Sequence, residues 1–170
     1  MKKPLLLLGA ILFCLHVFSQ QPSKPVTFTS IETVDSNIKK ETLYFNTIEW
    51  VGKHFANASK VIQIADKEAG LILVKGSFNY KAPGYMLSGS ENRSISFMLK
   101  ISFKDGRYKL EMSDFKDDVL GLITYDDFDE TSSTKKNVQK QWKAAQMETQ
   151  SNIVSVQKSI KDFIEQNVNW

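Results

Sequence analysis

Cysteine is almost missing from this chain. The 170 residues hold one, Cys14, in the apolar N-terminal stretch, so everything beyond that stretch must draw its stability from a packed core rather than a disulfide. Histidine is nearly as scarce. Beyond Gln20 only His54 remains, which leaves no His/Cys set for zinc and no Cys–His nucleophilic pair. The residue types of a Ser–His–Asp arrangement exist, but no Gly-x-Ser-x-Gly elbow presents a serine to His54. Neither a P-loop nor a dinucleotide-binding glycine pattern occurs. A strong charge excess is lacking as well: Lys and Arg number 22 against 19 Asp and Glu, and without Lys2 and Lys3 the balance is 20 against 19. That is no field for nucleic acid.

What is present begins with an export pattern. Lys2 and Lys3 precede an apolar run from Leu5 to Phe18, and Ser19 offers a small residue before Gln20 and Gln21. The run is shorter than the ~20 residues a membrane-spanning helix needs. Phe13 stands before Cys14 where a lipid-attachment site wants a small residue. The expectation is a cleaved signal peptide over 1–19, a tether over 20–25, and a periplasmic or secreted product with no transmembrane segment. The remaining length, about 150 residues, suits one hydrophobic core.

The periodicities predict an α+β domain over 26–170. Val26 to Val34 is rich in β-branched residues and reads as a strand. Asn37 is placed to cap a helix whose Tyr44, Ile48, Val51 and Phe55 share one face with Leu43. Val61 to Ala65 and Leu71 to Tyr80 read as strands, with Gly76 weakening the second or permitting a bulge. From Ser94 to Phe115 strict alternation surrounds Asp105-Gly106, a turn pair. Folding there sets Phe103 against Tyr108, Ile101 against Leu110 and Leu99 against Met112, with Lys100 facing Glu111 on the other side. A slip of one residue would destroy every match. From Thr134 to about residue 168 neither Pro nor Gly interrupts a stripe that includes Val138, Trp142, Ala145, Thr149, Ile153, Val156, Ile160 and Phe163. A helix that long would overhang strands of six residues, which span only about 20 Å, unless it breaks where polar residues cluster from Gln146 to Asn152 and both halves fold back onto one core.

The order strand, helix, four-strand meander, helix resembles a family of exported bacterial domains of unknown function described as TBP-like. The residues that carry the resemblance are Leu43-Tyr44, Glu49-Trp50-Val51, Val61-Ile62-Gln63, Gly70, Gly76 and Phe103-Lys104-Asp105-Gly106-Arg107-Tyr108, within 26–115. The resemblance implies a mainly antiparallel sheet with helices on one face and a location in the envelope of a Gram-negative bacterium. It implies no activity, and the label describes shape rather than DNA binding.

The remaining candidates carry bland readings beside sharp ones. Asp114, Asp117, Asp118, Asp126, Asp127, Asp129 and Glu130 lack the spacing and central glycine of a calcium loop, and read as a solvated loop entering a helix. Whether that segment holds a cation stays open. The connection from Lys81 to Arg93 is long, and its Tyr85, Met86 and Leu87 either cover the core or form a contact surface. Trp50 and Trp142 lie at apolar helix faces and Trp170 ends the chain. With no catalytic group, metal ligand or cofactor nominated, the expectation is a non-enzymatic binding module for a protein partner or an apolar small ligand. Its candidate contacts are Tyr85, Met86, Leu87, Trp142, Ile153, Ile160 and Phe163, and self-association through the C-terminal helix is one outcome. The alternative is a carboxylate-dependent hydrolase.

Overall fold

The computed structural model describes residues 24–84, 90–125 and 133–168. Outside them lie the expected signal segment 1–19, Tyr85, Met86 and Leu87, the acidic stretch Asp126 to Glu130, and Trp170.

The chain runs β1 (Phe28–Thr33), α1 (Lys40–His54), α2 (Ala58–Val61), β2 (Ile62–Asp66), β3 (Leu71–Pro83), β4 (Ser90–Lys104), β5 (Arg107–Asp117), β6 (Gly121–Leu122) and α3 (Ser133–Val168). The strands form one antiparallel sheet in the order β1-β5-β4-β3-β2, with β6 paired to the end of β5. The expected hairpin register is present: Phe103 pairs with Tyr108, Ile101 with Leu110, Leu99 with Met112 and Lys100 with Glu111. One face of the sheet packs beneath α1 and α3. It contributes Ile72, Val74, Ile95, Leu99, Ile101, Tyr108 and Leu110, all fully or almost fully buried. The other face carries no described helix.

Three local expectations are corrected. Asn37 does not cap α1; its backbone N–H bonds Asp35 Oδ1. The cap comes from the hairpin, where Asp105 Oδ1 accepts the N–H of Lys40 (2.9 Å) and Oδ2 accepts from Lys39 Nζ (3.1 Å). A carboxylate there satisfies an orphan donor and suits the positive end of the helix. Gly76 makes no bulge. A Cβ at that position would lie 2.5 Å from Phe97 Cζ, so glycine makes room for the Phe97 ring, which stacks on Phe115 at 5.8 Å. The bulges fall instead at Ile62/Ile64 and Ser96/Met98, the second opposite Asp114, whose φ is +56°.

The third correction concerns α3. It runs 36 residues without a break, about 54 Å at ~1.5 Å per residue. Its stripe is nonetheless covered: β3 and β4 extend to 13 and 15 residues, about 43 to 50 Å at ~3.3 Å per residue, and α1 packs against its C-terminal half through Trp50, Lys53 and His54. The connection expected from Lys81 to Arg93 is correspondingly short, since β3 continues through Pro83 and β4 begins at Ser90.

The borrowed cap has a pH consequence. The hydrogen bond from Lys40 N–H, then that from Lys39, holds the Asp105 carboxyl below the usual aspartate range. A lowered folded value means that the stabilisation is complete above the unfolded value, near ~3.9, and disappears as pH falls through the folded one. Asp105→Asn keeps an oxygen for Lys40 and removes the charge. Urea melts from about pH 7 down to about pH 3 should show a shallower acid loss for the variant than for the parent. Superimposable acid profiles would show that the charge contributes nothing.

Candidate functional site

The helical members of the expected contact set are placed in the core. Trp142 is 8% exposed, Ile153 6% and Ile160 0%. Phe163 is half-buried against the same core, with Lys53 Nζ 4.8 Å from its ring centre. The stripe faces inward along its length, over the sheet and, near Ser159 and Phe163, against α1.

His54 does meet a serine. Its ring stacks on Trp50 at 4.7 Å, and Ser159 from α3 lies between the two side chains. The Trp50 carbonyl can only accept, so Nδ1 of His54 donates to it (3.0 Å) and Nε2 is left as the acceptor. Ser159 Oγ therefore donates to Nε2 (2.7 Å) while accepting from the Trp50 indole N–H (3.0 Å). Base and hydroxyl are within reach of each other, and a depression of about 370 Å³ adjoins them. However, the N–H groups around Ser159 are engaged in the α3 ladder, so the helix backbone offers no oxyanion donors. With both functions of the hydroxyl engaged, the constellation is a clasp between α1 and α3. Sequence reasoning missed it because Ser159 lies 105 positions from His54 and carries no local mark.

A second polar cluster, also missed, lies at the far end of the sheet. Arg93 and Asp117 are 4% and 3% exposed and form an ion pair. Asp117 also accepts from Tyr80 OH (2.6 Å) and from the N–H groups of Val119 and Leu120 (2.9 and 2.8 Å). Arg93 reaches Asp118 (3.2 Å) and Gln141 of α3 (3.4 Å), and Gln141 donates to the Pro83 carbonyl (2.8 Å). These bonds tie β3, β4, β5 and α3 together.

The open sheet face is the third place, and it looks outward. β-strand alternation sends Ile31, Leu73, Lys75, Met98, Lys100, Lys109, Glu111 and Lys116 there. Ile31 is 63% exposed, and Ile64 of β2, paired with Leu73, is 45% exposed. Two depressions lie along this face: one of about 450 Å³ bordered by Thr29, Leu73, Met98 and Lys100, one of about 340 Å³ bordered by Ile31, Ser102, Arg107 and Lys109. Glu111 binds both Lys109 (2.7 Å) and Lys100 (3.3 Å), and those bonds, Lys109's first, pull its carboxyl below the usual range. The apolar side chains thus lie among lysines that outnumber the acids.

Asp105 and Glu111 are shifted, both downward, whereas a general acid needs a raised value. Among the described residues no group of three or more His, Cys, Asp or Glu is arranged to hold a metal, and no helix is long and apolar enough to cross a membrane.

Comparison with known proteins agrees with the fold. No curated protein matches the chain. A crystal structure of a TBP-like protein from Parabacteroides distasonis superposes with a TM-score of 0.53 at 16% identity, covering 81% of this chain and 93% of that one. A DUF4468 family protein from Bacteroides ovatus gives 0.53 at 10% identity, covering 80% of this chain and 86% of that one. At such identities the likeness speaks for the fold alone. Residues 31–117, about half of the chain and the part that holds the Asp105-Gly106 hairpin, match the profile of the family described as a domain of unknown function with a TBP-like fold, and the chain belongs to that family, DUF4468.

Proposed function

We propose that this chain is an exported, non-enzymatic binding module that takes a protein partner on the open face of its sheet, around Met98. The observation that carries the reading is the apolar set Ile31, Ile64, Leu73 and Met98 on a face without a described helix. An apolar surface interrupted by lysines favours a partner with its own apolar patch and acidic rim. The apolar small ligand expected from sequence would have the two shallow depressions, each bordered by charged side chains, in place of an enclosed cavity. The hydrolase alternative gains no support from carboxyls held low. Self-association along the α3 stripe gains none from side chains committed to the core.

A photo-crosslinking side chain placed at Met98 tests the reading, with the same group at Met147, 65% exposed on the outside of α3, as control. In the producing cell, Met98 should give an adduct of defined mass and Met147 should not. Equal adducts from both positions, or none from Met98, would overturn it. Mass spectrometry of the same preparation should find a chain beginning at or near Gln20; retention of Met1 to Ser19 would refute the export part.

A further inference from the structure

β2 pairs with β3 only from Leu71 to Val74, while β3 continues to Pro83. The rest of its outer edge has no strand beside it among the described residues. Which backbone groups point outward follows from the register. Phe103 N–H donates to Gly70 O (2.8 Å), and Gly70 would pair with Phe103 by extension of the β3–β4 ladder. In an antiparallel pair the bonded positions alternate, so residues 72, 74, 76, 78, 80 and 82 direct their N–H and C=O groups to β4. Ser77, Asn79 and Lys81 turn theirs away from the sheet, and no described backbone group meets them. Pro83 falls on an outward position too, where its missing N–H costs the ladder nothing.

The side chains along this edge sort by face. Lys75, Ser77, Asn79 and Lys81 are exposed on the open side, while Phe78 is half-buried on the helix side. Neither Lys75 nor Lys81 has an ion-pair partner among the described residues. Edge lysines guard against indiscriminate pairing. Two-fold pairing of a second copy centred on Phe78 would set Lys75 opposite Lys81. A strand with acids on one side reverses that repulsion, and apolar residues on its other side would extend the surface of Phe78.

We propose that β3 from Lys75 to Lys81 is a strand-addition site for an extended partner segment in which acidic and apolar residues alternate. This deepens the binding-module reading and rests on it: the segment would enter at the edge of the same open face. Backbone hydrogen bonds to Ser77, Asn79 and Lys81 would supply the pairing, and the two lysines would select charge and register.

The probe is a nine-residue peptide of alternating glutamate and valine with blocked termini, together with its analogue N-methylated at alternate residues on the pairing side. The chain is used from Gln20 onward, without the expected signal segment. By NMR titration the unmethylated peptide should shift the amide signals of Ser77, Asn79 and Lys81, and added salt should weaken it. The N-methylated analogue and a lysine–valine peptide should each bind at least about tenfold more weakly, as should the Lys75→Glu/Lys81→Glu variant. Asn79→Pro removes one outward N–H and leaves the β3–β4 ladder intact, so it should fold and lose binding. No titratable binding, or equal binding of the methylated analogue, overturns the inference even if Asn79→Pro fails to fold. Binding that survives both edge changes but is lost in Met98→Glu overturns the edge site and leaves the face reading standing. A Met98 crosslink lost from an otherwise edge-competent protein would sink the face reading alone.

Discussion

Replacing Arg93 by methionine is expected to destabilise the protein by about 3–5 kcal/mol in urea melts. Methionine fills a similar volume, so the loss is chiefly electrostatic. The Asp117 side chain is fully buried, and removal of the guanidinium leaves its charge with only neutral donors, Tyr80 OH and the N–H groups of Val119 and Leu120. Gln141 loses a partner at the same time, and with it part of the anchor that holds α3 to β3. Adding Asp117→Asn removes the stranded charge, so the double variant should recover a substantial part of the loss. A cost below about 1 kcal/mol for Arg93→Met would mean that the ion pair merely offsets its own desolvation.

Gly106→Val should follow, at about 3 kcal/mol. Two causes act together. Gly106 has φ +70°, a conformation that a β-branched residue resists, and a Cβ there would lie 2.9 Å from the backbone of Ser36. The contact is with main chain, which cannot swing aside. Gly106 also donates to Ile38 O and accepts from Val34 N–H, both at 2.9 Å, so the turn holds the β1–α1 connection against the sheet. Gly106→Asn carries the same Cβ but tolerates positive φ, and its smaller loss in the same melts would measure the conformational share. A loss below about 1 kcal/mol for valine would show that the turn is free to move away from Ser36.

Much of the candidate surface is legible residue by residue and still not recognisable as a site. Lys100 opposite Glu111 follows from the hairpin, and so does Met98 on the solvent side. That no helix covers this side depends on where α1 and α3 pack. The stripe from Val138 to Phe163 is legible as one face, but its destination is not. An apolar periodicity says that a surface must be covered, and only the packing of α3 on the long sheet and on α1 shows by what. Sequence reasoning underestimates the lengths of β3 and β4 because Pro83, Gly84 and Gly89 look like loop punctuation, while Pro83 in fact sits at an edge position that tolerates it.

By itself the sequence determined the elements whose signals are local: the alternation of β4 and β5, the turn at Asp105-Gly106 with its register, and the buried faces of α1 and α3. In these, neighbours a few residues apart decide the outcome. The tertiary structure decided everything that joins distant positions. Asp105 caps a helix 65 residues earlier, Ser159 bridges Trp50 and His54, Phe97 fills the space that Gly76 leaves, and Arg93 is buried on Asp117. A hydrogen bond or a ring contact requires proximity in space and leaves no periodicity along the chain. For the same reason the open edge of β3 appears only in the fold: a strand's sequence shows which side is apolar, and only its neighbours show where pairing stops.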